Sequence, residues 1–296
     1  MRVTSSMMLR STLRDLSQGL SRLQQTQEQI ASNRQLTRPS TNPGATANAM
    51  GMRQEIRRAE QRLRSLDDAQ GWLSTADSVL TSSLDALGRA KEIAIRAANT
   101  GSISDPAARQ AMAAEISSIR SELLANANAT YGSRSLFNGT ASGAAYATNG
   151  TYLGNSASVV RDVAPSTTVA INLTGPEIFG TAGGPVGDVF EVLDRLATAI
   201  TAGDGAAIAT EHVNVDNAAA QLSAATVEIG SRSARLEDAK VRAEDGLSLL
   251  KSQLSQVEDV DIVDALIRVK AQESSYQAAL QVAANVIPTS LLDYLR

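Results

Sequence analysis

From Leu9 to Ile30 the apolar residues Leu9, Leu13, Leu16, Leu20, Leu23 and Ile30 recur at alternating four- and three-residue steps. That spacing lines them up along one side of an α-helix. Arg10, Arg14, Arg22, Gln24, Gln25 and Glu28 fall outside the line. A stripe this narrow cannot bury itself, because all its apolar groups lie on one line of one helix. The helix needs a partner, and the rest of the chain must either supply one or be built to meet one.

The far end of the chain offers a match. Ile262, Leu266, Val269, Tyr276, Leu280, Ala283 and Ile287 share one heptad frame in which only the Glu273 position is polar. Pro288 follows, then Leu291, Leu292, Tyr294 and Leu295. The expectation is that the two chain ends pair. Charge agrees: residues 1–64 carry eleven Arg against Asp15, Glu28, Glu55 and Glu60, while the opposing arm begins with Glu258, Asp259, Asp261 and Asp264. Exposed pairs are worth about 0–1 kcal/mol each, so these charges set orientation more than stability.

Aromatic residues make up only 3% of the 296 residues and Trp72 is the single tryptophan, which argues against a large globular core and for long helices burying Ala and Leu. The absence of cysteine removes disulfides and thiolate metal sites, and the lone His212 removes most imidazole sites. No metal or other cofactor is expected. No apolar run reaches the roughly 20 residues of a membrane helix, so no membrane insertion is expected, and Met1 to Arg10 lacks the apolar segment of a cleaved secretory signal. If the protein leaves the cell, it does so on an uncleaved signal. A net charge of -4 argues against nucleic acid as a partner; the Arg-rich first fifth sits between seam positions and lacks aromatics for base stacking.

Taken in order, the chain reads as mainly α: a long helical-bundle rod built from both chain ends, with a small β-rich insert between the halves. Residues 1–43 form an N-terminal coiled-coil arm, with one helix from about Thr4 to Leu36 stopped by Arg38, Pro39 and the Pro43-Gly44 turn. Residues 44–130 form the first half of the rod. Its long helix runs from about Ala45 to Asn99 with Leu66, Leu73, Leu80 and Leu87 in phase, approaching ~80 Å. A shorter helix starts at Asp105-Pro106 and ends near Ala129. Residues 131–187, rich in Gly, Thr, Ser and Asn, form the insert, with β-type runs at 135–137, 158–163 and 167–173. Residues 188–256 are the second half of the rod: a helix over about 186–201, a break at Gly203-Asp204-Gly205, then a frame of Leu222, Ala225, Ile229, Leu236 and Ala239. Residues 257–296 are the C-terminal coiled-coil arm.

The sequence of motifs resembles the bacterial flagellin family, and within it the members of the hook–filament junction. The resemblance is carried by Met1-Arg2-Val3-Thr4, by Arg38-Pro39-Ser40 with Asn42-Pro43-Gly44, by the run from Asp68 to Asp77 and by Ala97-Ala98-Asn99. It continues in Leu136-Phe137-Asn138-Gly139-Thr140, in Ile229-Gly230 with Arg232 and Arg235-Leu236-Glu237, and in Val260 to Leu266. It ends in Ser290 to Leu295. Thr41-Asn42 stands where similar proteins carry paired acids, and Ser133-Arg134-Ser135 lacks their second aromatic. The resemblance implies a structural protein exported unfolded through the flagellar export apparatus, with an export chaperone as a further partner. Outside the cell it would assemble as a ring of copies between hook-associated protein 1 and flagellin, its arms ordering on assembly. The two alternatives are a filament-forming flagellin and a cytoplasmic coiled-coil scaffold.

The assembly interface expected from these readings comprises Leu9, Leu13, Leu16, Leu20, Leu23, Ile30, Ile262, Leu266, Val269, Tyr276, Leu280, Ile287, Leu291, Leu292 and Leu295. No catalytic constellation emerges. His212 and Asp216 are an i, i+4 pair with no nucleophile elbow, and read as a solvated helical His and its neighbour. Glu258, Asp259, Asp261 and Asp264 lack the glycine of a calcium loop and read as an Arg-paired or solvated face of a continuing helix. Gly180 to Gly187 lacks the Lys-Ser or Lys-Thr of a phosphate loop and reads as a linker.

Overall fold

The computed structural model describes residues 5–99, 105–164, 167–184 and 186–286. The elements in chain order are α1 (Ser5–Ser32), α2 (Pro43–Ala98), α3 (Pro106–Ala127), β1 (Thr130–Tyr131), β2 (Arg134–Ser135), β3 (Val160–Ala164), β4 (Thr167–Ala170), α4 (Gly175–Phe179), α5 (Val189–Ala202), α6 (Gly205–Glu258) and α7 (Ile262–Val286). The chain divides into two compact units: one from the residues up to Ala59 and from Gly246 onward, the other from Glu60 to Asp245. Both long helices, α2 and α6, contribute to each unit.

Local chemistry fixes most helix ends. Asn42 caps α2 by accepting the Ala45 N–H at 3.0 Å, with Pro43 in the first turn where its missing N–H costs nothing. Asp105 caps α3, Asp188 caps α5 and Asp204 caps α6 in the same way. Gly203, at φ 73, closes α5 in the left-handed conformation. The end of α1 differs from the expectation that Pro39 stops it near Leu36. The helix ends at Ser32, where Asn33 turns left-handed at φ 53. The Arg34 N–H then donates to the Gln29 carbonyl at 3.1 Å and the Asn33 N–H to Ile30 at 3.2 Å, a Schellman closure with Asn in the usual glycine position.

In the unit from Glu60 to Asp245 the heptad residues form the core. Leu66, Leu73, Leu80 and Leu87 of α2 are buried, as are Ile116 and Leu123 of α3, Leu193 and Leu196 of α5, and Leu222, Ile229 and Leu236 of α6. α3 and α5 pack on one another, Asn126 of α3 reaches Ser83 of α2 at 3.1 Å, and Gln70 of α2 reaches Ser233 of α6 at 2.7 Å. Trp72 is buried with its ring edge-on to Tyr131 at 5.9 Å, and the Arg134 guanidinium lies 5.6 Å from its ring. Gly71 is needed beside it, because the Tyr131 hydroxyl stands where a Cβ would be.

The insert holds less strand than its composition suggests. β1 pairs with β2, and β3 with β4, each as an antiparallel pair; in the second, Val160 faces Ala170 and Asp162 faces Thr168 before the register shifts. Asparagine side chains do the rest. Asn128 exchanges hydrogen bonds with the backbone of Tyr146 at 2.8 and 3.0 Å, Asn138 donates to Ala141 and Gly143, and Asn172 accepts from Val159 at 2.7 Å. These bonds satisfy a backbone that has no ladder to join. Inside lies an aromatic cluster of Phe137, Tyr146, Phe179 and Phe190, with ring centroids 5.1–5.9 Å apart. α4, which the sequence reading missed, supplies Phe179 and starts on a capping box between Thr174 and Glu177. Arg232 of α6 pins β4 to the rod by donating to the Ala170 and Asn172 carbonyls at 3.3 and 2.6 Å.

Candidate assembly interface

α1 and α7, the two chain ends, pack against each other in the unit formed by both termini. On α1 the half-buried or buried positions include Thr12, Leu16, Gly19, Leu23, Thr26 and Ile30, with Gln25 and Gln29 half-buried beside them. On α7 they include Ala265, Val269, Gln272, Tyr276, Ala279 and Ala283, with Glu273 half-buried beside Gln272. The six named positions on each helix alternate four- and three-residue steps, so the pair is a heptad seam, but one offset from the line of large residues read in the sequence. Leu16, Leu23, Ile30, Val269, Tyr276 and Ala283 belong to both lines. The other half of the seam is small or polar. Gly19 lets Tyr276 approach to 3.5 Å of the place a Cβ would take, and the Thr26 hydroxyl is satisfied by the Arg22 carbonyl at 3.0 Å.

The remaining large residues of the expected interface stay open to solvent. Leu13 is 56% exposed, Leu20 40%, Ile262 47%, Leu266 49% and Leu280 44%. Val263, Ile267 and Val282, which belong to neither heptad line, are also exposed. Only the backbone of Leu9 is described, and Ile287, Leu291, Leu292 and Leu295 lie outside the described residues.

Leu13, Leu20, Ile262, Leu266 and Leu280 share one side of the helix pair, whereas Val282, seven residues on from Ser275, lies on the other. A groove of about 360 Å³ puts Asp15, Gln18 and Arg22 of α1 beside Gln272, Ser275 and Ala279 of α7. At about 100° per residue, Leu13 and Leu20 lie on the opposite edge of the α1 seam, and Ile262, Leu266 and Leu280 on the opposite edge of the α7 seam. One face of the pair therefore carries these five large apolar side chains without a partner in the single chain; the other holds a groove with a polar rim.

The acidic run does not continue a helix, contrary to the sequence reading. α6 stops at Glu258 and α7 begins after Asp261, whose carboxylate accepts the Val263 and Asp264 N–H groups at 2.9 and 3.1 Å. Each acid has its own task. Glu258 is buried and receives Arg53 at 2.7 Å, Asp259 accepts from Ser255 at 2.5 Å, and Asp264 pairs with Arg268 at 2.6 Å. The two chain ends are also knitted through the backbone: the Gln35 N–H donates to the Glu258 carbonyl at 2.6 Å, and Arg34 and Asp259 form an antiparallel bridge.

Elsewhere the chemistry is structural. His212 Nε2 lies 3.9 Å from Asp216, whose carboxylate is engaged by Lys91 at 2.7 Å. Among the described residues no three His, Asp or Glu side chains form a group that could hold a metal ion, and no helix is long and apolar enough to cross a membrane.

Comparison with known proteins places these helices. Residues 3–142 match the bacterial flagellin N-terminal helical region, and residues 213–295 the C-terminal helical region. The chain is 26% identical over 309 residues to the flagellin of Bacillus subtilis and 26% identical over 320 residues to flagellar hook-associated protein 3 of Salmonella typhimurium, spanning the whole of each chain in both cases. Among solved structures, a flagellar hook-associated protein from Vibrio parahaemolyticus superposes with a TM-score of 0.69 at 22% identity, covering 74% of this chain and all of that one. FlgL of Bacillus cereus gives 0.60 at 20% identity, covering 69% and 99%. With both terminal helical regions matched across most of its length, the chain belongs to the bacterial flagellin family.

Proposed function

We propose that this protein is a structural component of the bacterial flagellum that joins hook to filament, its terminal helices docking through the apolar face of the α1–α7 pair. The observation that carries the reading is that face. Leu13, Leu20, Ile262, Leu266 and Leu280 are left 40–56% exposed by a pairing that already uses the other half of each stripe. Each would gain roughly half of the ~1.5–3 kcal/mol of full burial when a neighbour covers it. Similarity to hook-associated protein 3 of Salmonella typhimurium and Escherichia coli supports the junction rather than the filament shaft. The neighbours are hook-associated protein 1 on the hook side, flagellin on the filament side and copies of this chain around the ring. The chain reaches them from outside the cell, delivered by the export apparatus with the help of an export chaperone, and performs no catalysis.

A deletion strain tests this directly. It should make hooks without filaments and release flagellin into the medium, and the full-length gene should restore attached filaments. Hook-attached filaments in the deletion strain would sink the reading. The B. subtilis flagellin is matched at the same identity, which keeps a filament-forming role as the second reading. Purified protein that polymerises alone under salting-out conditions would favour it; a junction protein stays unassembled without its neighbours.

A further inference from the structure

Two Asn-Gly pairs lie in the insert, Asn138-Gly139 and Asn149-Gly150. In such a pair the glycine amide nitrogen can attack the asparagine carboxamide carbon, because no side chain on the glycine stands in the way. The fold treats the two pairs differently. Asn138 is 2% exposed, and its carboxamide N–H₂ donates to the Ala141 and Gly143 carbonyls at 2.7 and 3.0 Å, so the side chain is fixed. Asn149 is exposed. Its carboxamide oxygen accepts the Thr151 N–H at 3.1 Å, a bond that folds the carboxamide back over the intervening Gly150 peptide. The same N–H polarises the carboxamide and is in place for the oxyanion that an attack would form there. Arg120 of α3 adds a cation: its guanidinium donates to the Asn149 backbone carbonyl at 3.2 Å and to the Thr148 carbonyl at 3.5 Å. The Asn149 carbonyl belongs to the same peptide unit as the Gly150 nitrogen. When that nitrogen gives up its proton, resonance places the negative charge on this oxygen, against the guanidinium. Arg120 is itself held, with Asp194 at 2.9 Å and the Phe190 ring centroid 5.9 Å away. A brake remains: the Gly150 N–H donates to the Ala147 carbonyl at 2.9 Å, and this turn bond must open first.

We propose that Asn149 is a self-modifying site, deamidated by its own backbone with Arg120 and the Thr151 N–H as the activating groups. The Gly150 nitrogen bonds to the Asn149 side-chain Cγ, the Cγ–Nδ2 bond breaks, and ammonia leaves with the proton given up by the nitrogen. Solvent water then opens the succinimide. Opening at Cγ gives aspartate; opening at the main-chain carbonyl gives isoaspartate, with one more atom in the backbone. In sum one water enters and one ammonia departs, with no change of oxidation state. The longer backbone does not fit the turn. Gly150 sits at φ +89 with the Phe190 Cβ only 3.0 Å from the place of a Cβ, and the Ala147 N–H is tied to the Thr151 carbonyl at 2.9 Å. Isoaspartate therefore pushes Gly150 off Phe190 and loosens the insert where it meets α5, a covalent clock whose pace Arg120 sets. This does not rest on the junction reading.

The test is ageing of the purified full-length chain at mildly alkaline pH, with peptide mapping by mass spectrometry and isoaspartate identified by electron-transfer fragmentation. In the folded chain Asn149 should convert about tenfold faster than Asn138 or more, whereas in urea the two should convert at similar rates. Arg120→Gln removes the cation and should slow Asn149 by about tenfold or more, the worth of a charge-assisted hydrogen bond. Arg120→Lys keeps the charge and should stay near the wild-type rate. The direction is decisive, because a variant that merely loosened the insert would free both asparagines and speed both. As isoaspartate accumulates, the near-ultraviolet signal of the Tyr146–Phe190 cluster should fall, and Asn149→Ser, which has no carboxamide, should keep it over the same time. Equal rates at Asn138 and Asn149 in the folded chain overturn the proposal. So does an Arg120→Gln variant that reacts at the wild-type rate or faster while Asn138 stays intact; if Asn138 reacts as well, the wild-type ratio alone decides.

Discussion

Replacing Leu13, Leu266 and Leu280 together by alanine should separate assembly from folding. These side chains are 56%, 49% and 44% exposed. Fully burying a leucine is worth ~1.5–3 kcal/mol, so each holds about 1 kcal/mol in reserve for a neighbour. The triple variant should lose about 3 kcal/mol of docking free energy, roughly a hundredfold in the binding constant. Leu13 and Leu280 sit on the same face, so part of the loss is shared and the sum is an upper value. All three lie outside the unit from Glu60 to Asp245, whose urea midpoint should not move. Leu80→Ala is the control: that side chain is fully buried, and its loss should cost 2–5 kcal/mol in the same unit without touching the docking face. The assay is co-sedimentation of purified protein with hooks from a strain lacking it, at matched folded fractions. The reasoning fails if the triple variant decorates hooks at wild-type concentrations, or if Leu80→Ala lowers decoration equally.

Other consequences are local. Asn33→Val should destabilise the end of α1 by about 1–2 kcal/mol, because a β-branched residue resists the left-handed conformation at φ 53, while Asn33→Gly should be neutral or better; amide exchange at Arg34 reads both. Arg53→Ala leaves the buried Glu258 carboxylate without its ion pair and should cost about 1–3 kcal/mol, seen as faster exchange of the Gln35 N–H and earlier proteolysis between residues 33 and 42. Burial raises the Asp188 carboxyl above its ordinary value of 3.8, outweighing the Glu191 N–H it accepts. A raised carboxylate stabilises the fold fully below the unfolded value, and that contribution is lost as pH rises through the folded value. Asp188→Asn should therefore flatten the pH dependence of the urea midpoint just above the ordinary carboxylate range. Gly139→Ala should unseat the insert, since φ is +69 and Asn155 occupies the place of the new methyl; loss of near-ultraviolet signal from the Tyr146–Phe190 cluster would report it.

The sequence was most legible where hydrophobicity and burial coincide. Leu66, Leu73, Leu80 and Leu87, or Leu222, Ile229 and Leu236, are large, periodic and buried. It was half legible at the chain ends. Large residues alone pick out Leu16, Leu23, Val269 and Tyr276, but they also run through Leu13, Leu20 and Leu266, which the pairing leaves exposed. Two helices brought close prefer small residues between them, and Thr12, Gly19 and Thr26, with Ala265 and Ala279, carry almost no hydropathy signal. Their own seven-residue spacing was the signal available. The end of α1 was hidden because Asn33 plays the part usually given to glycine, and the end of α6 because Asp261 caps a new helix rather than extending the old one. The insert was least legible: its backbone is satisfied by Asn128, Asn138 and Asn172, each fixed by contacts that no local pattern encodes.

The backbone knit between residues 34–35 and 258–259 has a kinetic meaning. It joins segments more than two hundred residues apart, among the most distant partners in the chain. For a flexible chain, closing so long a loop costs several kcal/mol of entropy before any contact repays it. Once Arg53 of α2 has met Glu258 of α6, the span left to close shrinks to the turns on either side, and the Gln35 N–H lies within reach of its acceptor. The terminal helices are thus the part of the molecule whose order depends on everything between them having folded first, which makes them the last to form and the first to be released.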